Sequence, residues 1–227
     1  MRATLDPEIA HIPLAGGQEV ALPDFSPIAV DEAVTNALVH RDYTRPERVV
    51  IDYSPNALRV WSPGGLPLGV TEDRLLSTVS TPRNATLLAA MQQLGLAERA
   101  SRGIDRTFRE QVRVGQQVPA IRADEYSVEV NFTNGSPNRA FAGFVSTLPR
   151  IQRENVDVML ALTHLCQRPT LTLADAARLL QVGELEAKDR LDTLGVGPDA
   201  LFDVLKRDPE GPKRGPSIRW LPAKRPK

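Results

Sequence analysis

A single cysteine, Cys166, in a chain of 227 residues excludes an internal disulfide and a cysteine-rich zinc site. It lies among Met159, Leu162 and Leu165, the surroundings expected of a core thiol. No stretch reads as a signal peptide and no apolar run reaches about 18 residues, so a cytoplasmic protein with no membrane partner is expected. Net charge is missing too. Lys plus Arg and Asp plus Glu are each 28, so bulk charge points to no partner. His11 and His164 lack ligand-type neighbours, which gives no zinc site. Ser62 and Ser101 lack a base at a matched spacing, which gives no acyl transfer. There is no G-x-x-x-x-G-K-[ST] loop, no internal repeat and no low-complexity segment.

What is present is an ordinary globular composition, 41% hydrophobic and 25% charged, in a chain long enough for one large domain or two modest ones. The charge is unevenly placed. Residues 150–227 hold 14 basic and 11 acidic groups, leaving 14 and 17 before them. Residues 206–227 alone hold eight basic and two acidic groups. Such a tail is either a solvated end or a contact for phosphates.

Residues 1–25 carry no strong element and are expected as an N-terminal tail or the cut end of a longer chain. "SPIAVDEAVTNALVHR" opens with Ser26 as N-cap and Pro27 at the first helical position, which predicts a helix to about residue 41. "ERVVIDYSPNALRVW" predicts strands near 47–53 and 57–61, turned at Pro55–Asn56. "TEDRLLSTVS" predicts a short helix, "ATLLAAMQQ" a second with Asn84 as N-cap and Gly95 as stop, and "GIDRTFREQVR" a third. The alternation of "EYSVEVNF" predicts a strand. Helices mixed with paired strands give an α+β two-layer sandwich over residues 26–133. Residues 134–149 have no clear period and are expected as a linker.

The stretch "DEAVTNALVHRDY" poses the functional question. At about 100° per residue, Glu32, Asn36 and His40 lie within about 80° on one helix face, opposite Val30, Ala33, Val34 and Ala37. That face is either solvated or the wall of a cleft. In a cleft, the amide oxygen of Asn36 is a hard ligand suited to Mg²⁺ on phosphates. Glu32, one turn earlier, is placed to act as a base toward water. "SPGGLP" follows a strand, where Gly64 and Gly65 permit close backbone approach. "ASRGID" puts Gly103 before a helix, whose first N–H groups suit phosphate.

"DEAVTNALVHRDY", "SPGGLP", "PRNATLL", "LGLAE" and "SRGIDR", in that order, resemble the C-terminal region of RecG-like, Schlafen/AlbA-associated ATP-binding proteins. That region is a divergent relative of the GHKL ATPase fold of gyrase B, Hsp90, histidine kinases and MutL. The resemblance covers roughly residues 20–133 and implies binding of ATP with Mg²⁺, not a helicase motor. By position it implies Glu32 as base and Asn36 as metal ligand. It places Ser62, Gly64 and Gly65 near the adenine, and Arg102 and Gly103 beside the phosphates. Ser62 departs from the pattern, which has an aspartate there, and the second loop carries one glycine instead of several. Both departures weaken the expectation of hydrolysis more than that of binding. His40 in "HRDY" is expected to be structural. It does not form a kinase H-R-D loop, because no Asn or D-F-G follows at the right distance.

Beyond the linker, residues 150–227 read as a winged helix-turn-helix. "NVDVMLALTHLCQ" and "TLADAARLL", the latter capped by Thr172, lead through "QVG" to "ELEAKDRLDTLG". Then "LFDVLKRD" and "SIRWL" flank a Gly/Pro/Lys/Arg tip. The recognition helix, Glu184–Leu194, carries only Lys188 and Arg190 against four acids. Contact with duplex DNA is therefore expected chiefly from Lys206, Arg207, Lys213 and Arg214 on the wing. Two functions remain open at this level. One is a homodimeric nucleotide-responsive regulator of transcription. The other is a degenerate ATPase fold kept as a dimerisation scaffold, with a protein-binding winged helix.

Overall fold

The computed structural model describes residues 10–13, 19–79, 81–97, 103–197 and 200–223. The chain forms two compact units that divide between Asn138 and Arg139.

In the first unit, Ser26 caps α1 (Pro27–His40), its side chain accepting from the Ala29 amide, with proline at the first helical position. The strands β3 (Val50–Ser54) and β4 (Ala57–Pro63) turn at Pro55–Asn56 as expected. With β5 (Ala120–Ala123) and β6 (Ser127–Thr133) they form an antiparallel sheet in the order β3-β4-β6-β5. Alternation selects the buried face. Leu58, Val60, Val130 and Phe132 pack with Ala29, Val30, Ala33 and Ala37 of α1 in one core. The remaining helices are α2 (Ala85–Gln93) and α3 (Gly103–Arg113). Ser26 N–H donates to the buried Gln111 Oε1 at 2.9 Å, whereas Glu32 meets Arg106. Thus α3 runs antiparallel along α1. This is the mixed α+β sandwich expected from the sequence, and it is consistent with a GHKL-like ATPase fold.

Several expectations need correction. The segment expected as an N-terminal tail carries a two-stranded antiparallel ribbon, β1 (Ala10–Pro13) and β2 (Glu19–Leu22). "TEDRLLSTVS" yields only a 3₁₀ turn at Glu72–Arg74 with no buried residue; without an apolar stripe, nothing prolongs it into a helix. Asn84 does sit at the N-cap of α2 but makes no capping bond. Its side-chain amide donates instead to the carbonyls of Val39 and Arg41.

Most of the expected linker is helix α4 (Arg139–Thr147), because Phe141, Ala142 and Val145 share a buried stripe. It opens the second unit and is followed by α5 (Arg150–Arg153), α6 (Val156–Gln167), α7 (Leu173–Leu180) and α8 (Glu184–Thr193). A three-stranded sheet of order β7-β9-β8 completes the unit, from β7 (Leu171–Thr172), β8 (Leu205–Arg207) and β9 (Arg219–Pro222). Thr172 caps α7 as expected. The α7–α8 turn closes through Gln181 at φ 56, a left-handed residue at the helix end. Trp220 and Leu205 are buried where β8 and β9 pair. Cys166, expected in the core, is exposed; the buried stripe of α6 ends at Leu162. No helix among the described residues is long and apolar enough to cross a membrane.

Candidate functional site

The polar stripe of α1 is not a solvated face. Glu32, Asn36 and His40 are half-buried, and the first turn of α3 lies over Glu32 and Asn36. A Cβ built on Gly103 would stand 2.4 Å from Glu32 Oε1 and 2.7 Å from Asn36 Nδ2. Both distances are below contact, so any side chain at the start of α3 would push the Glu32 and Asn36 side chains aside. Arg106, one turn further along α3, brings its guanidinium to 3.6 Å from Glu32 Oε2. Thr107 donates to the Gly103 carbonyl at 2.9 Å and fixes the turn. Three residues expected at the phosphates, Glu32, Asn36 and Gly103, are thereby brought together, although the sheet strands β3 and β4 and helix α2 separate them along the chain. Arg102 lies outside the described residues.

The first glycine pair is used differently. Gly64 has φ +101, and a Cβ on it would meet Asp42 Cβ at 2.8 Å; one on Gly65 would meet the Asp124 carbonyl oxygen at 2.5 Å. The close approach is by the chain's own atoms, chiefly Asp42 at Gly64 and the backbone of Asp124 and Glu125 at Gly65. Asp42 N–H donates to the Pro63 carbonyl and Gly64 N–H to that of Tyr126. Asp42 Oδ2 pairs with Arg83 at 3.6 Å, and Arg83 donates to the Gly65 carbonyl at 2.9 Å. With Asn84 bonded to the carbonyls closing α1, "HRDY", "SPGG" and "PRN" form one knot at the end of that helix. Ser62 belongs to it. Its buried hydroxyl donates to the Ala37 carbonyl at 2.7 Å, tying β4 to the turn of α1 that carries Asn36.

Electrostatics separate knot from site. The Thr44 hydroxyl and amide hold the Asp42 carboxyl below its usual range, with Arg83 adding to them. Burial, and then Arg83, push the His40 imidazole down, so it is neutral near pH 7 and suited to packing. An open cavity of roughly 530 Å³ lies beside the glycine turn, but Glu72, Asp73 and Asp124 line it. Three carboxylates repel phosphate, so this cavity does not suit a phosphate group. No cluster of three or more His, Cys, Asp or Glu suited to a metal occurs among the described residues. A Mg²⁺ here therefore needs substrate oxygens beside protein ones. The hard amide oxygen of Asn36, in a cradle that a Cβ on Gly103 would fill, fits that requirement.

In the second unit, the cations expected to read DNA divide into two groups. Lys188 bonds Asp192 at 2.6 Å. Arg190 bonds Glu186 at 2.7 Å and faces Asp157 at 3.4 Å. Arg207 lies over the Trp220 ring and 4.0 Å from Asp192. Lys206, Lys213 and Arg214 are exposed. Arg83, Asn84 and Arg106 were missed as site and knot residues. Arg83 and Asn84 lie in the "PRN" stretch and Arg106 in "SRGIDR", but the groups they meet belong to other elements, remote in sequence.

Residues 47–132 match the family model described as "Putative ATP-dependent DNA helicase recG C-terminal". This segment is therefore similar to the ATPase-like domain at the C-terminus of RecG-like proteins. The match takes in the sheet, α2 and α3; α1, with Glu32 and Asn36, precedes it and joins through the contacts above. A crystal structure of the DIP2311 protein from Corynebacterium diphtheriae is similar, with 26% identity and a TM-score of 0.74. The similarity covers 97% of this chain and 44% of that one, so the chain spans less than half the length of that relative. No curated protein sequence matches the chain.

Proposed function

We propose that the first unit binds ATP with Mg²⁺ between α1 and the start of α3. The closure of Gly103 onto Glu32 and Asn36 carries this reading. A helix pair that needed only packing would place apolar or small polar groups there, not a carboxylate, an amide and a guanidinium around one glycine. Asn36 would hold the metal together with the phosphates, and the metal would supply charge neutralisation. The first amides of α3 and the Arg106 guanidinium add positive potential. Glu32 is the group able to take a proton from water. Ser62, its hydroxyl committed to the Ala37 carbonyl, brings no carboxylate to a purine. Binding is therefore led by phosphate.

Titration calorimetry tests this. Asn36→Ala should weaken ATP binding about ten- to a hundredfold in magnesium and little in EDTA, the scale of a lost charged contact. Equal affinity of both proteins in magnesium rejects the assignment.

For the second unit we propose a winged-helix role in which the β8–β9 hairpin contacts duplex DNA, coupling nucleotide state to transcription. The exposed Lys206, Lys213 and Arg214 support it. Affinity should then fall with salt by a log–log slope of about −0.9 per neutralised phosphate. Lys213→Ala with Arg214→Ala should flatten that slope by up to about two and weaken all sequences alike. One observation favours a second reading: both cations of α8 are held in ion pairs on its own acidic face. That helix offers few free donors to bases and suits a protein contact. No binding of the whole chain to duplex DNA at low salt would select this reading.

A further inference from the structure

We infer that His40 contacts the nucleoside part of the nucleotide, at the end of the α1 stripe nearest the knot. This rests on the nucleotide reading of the same site. His40 closes α1 one turn after Asn36, on the same face and about 6 Å further along the axis. Helix α3 starts over Glu32 and Asn36 and runs back along α1 until Gln111 meets Ser26. The stripe before Asn36 is therefore covered. A nucleotide with its phosphates at Asn36 has the His40 end left for its sugar and base. At that end the other polar groups are committed. Ser62 donates to the Ala37 carbonyl at 2.7 Å, and Asn84 donates to the carbonyls of Val39 and Arg41. Arg83 donates to the Gly65 carbonyl and pairs with Asp42, and the space at Gly64 and Gly65 is filled. His40 differs. It is half-buried and forms no hydrogen bond among the described residues. Near pH 8 an imidazole is neutral, and burial with Arg83 nearby favours that form further. A neutral ring keeps one N–H donor and one lone pair, which suits sugar hydroxyls and base edges better than phosphate oxygens.

Calorimetry at pH 8 with Mg²⁺ tests this on the whole chain, with ATP and with inorganic triphosphate, which carries the phosphates and no nucleoside. His40→Ala should weaken ATP binding about three- to tenfold, the scale of one hydrogen bond, and leave triphosphate binding unchanged. Asn36→Ala should weaken both ligands, because the metal it holds sits on the phosphates. His40→Phe keeps a ring of similar size and loses both nitrogens. It should show the same selective loss, and it serves alone if His40→Ala does not fold. Wild-type protein that binds neither ligand overturns the reading of the site and this inference with it. Wild-type ATP affinity matched by His40→Phe overturns this inference alone. So does an equal loss for ATP and triphosphate, which would make His40 a phosphate contact or a packing residue.

Discussion

Gly65→Ala should lower the unfolding midpoint of the first unit by about 10 °C, because overpacking against fixed backbone costs about 3 kcal/mol. A Cβ there meets the Asp124 carbonyl oxygen at 2.5 Å and that of Glu125 at 2.9 Å. Both are backbone atoms in a turn that cannot step back. Asp124 Oδ1 accepts from the amides of Tyr126 and Ser127 at 2.8 and 2.6 Å, and Asp124 N–H donates to the Ser127 carbonyl. Gly64→Ala should cost a similar amount by another route, since φ +101 is strained for any side chain and Asp42 blocks the space. Thermal denaturation followed by far-UV circular dichroism decides. A midpoint within about 2 °C of wild type, well short of the shift expected for a unit of this size, would mean that the turn yields and that the knot is not rigid.

That result bears on how much of the molecule was legible in its residues. Local chemistry was. Ser26 and Pro27 start α1, Pro55–Asn56 turns the first hairpin and Thr172 caps α7, because each signal acts close to its cause. The fold class followed from these elements. Weak or nonlocal signals were not legible. The strand at 120–123 is short, with too little period to stand out, and it exists because β6 offers it an edge. Helix α4 is concealed by Gly143 and its β-branched neighbours, and burial of Phe141 and Val145 overrides that propensity. The use of the two glycine segments was the hardest to read. In sequence, Gly64–Gly65 and Gly103 look alike, as breaks in which a ligand can approach. Only tertiary contact separates them: Asp42 and the backbone of Asp124 and Glu125 fill the space at the first pair, and Glu32 and Asn36 fill it at the second. The i,i+4 ion pairs that occupy Lys188 and Arg190 were present in the sequence as well, and they weaken base reading by α8 before any coordinate is considered.

Gly103→Ala should give the opposite outcome to Gly65→Ala: ATP affinity lost by about a hundredfold or more, with stability nearly unchanged. The atoms that a Cβ would strike are Glu32 Oε1 and Asn36 Nδ2, the far ends of two flexible side chains that can rotate away at small cost. Gly103 has no left-handed φ to forbid a side chain. Alanine in place of glycine also favours the helix by up to about 1 kcal/mol, offsetting part of the crowding. What the rotation destroys is the site, because one methyl group displaces the proposed metal ligand and the proposed base together. The loss should therefore equal or exceed that of Asn36→Ala, about ten- to a hundredfold, and it should persist at any temperature where the protein is folded. Calorimetry with ATP and Mg²⁺, paired with a thermal melt of the same sample, separates the cases. A stable Gly103→Ala protein that binds ATP as wild type does would place the nucleotide away from Glu32 and Asn36. A protein that loses stability and binding together would make Gly103 a packing glycine like Gly65.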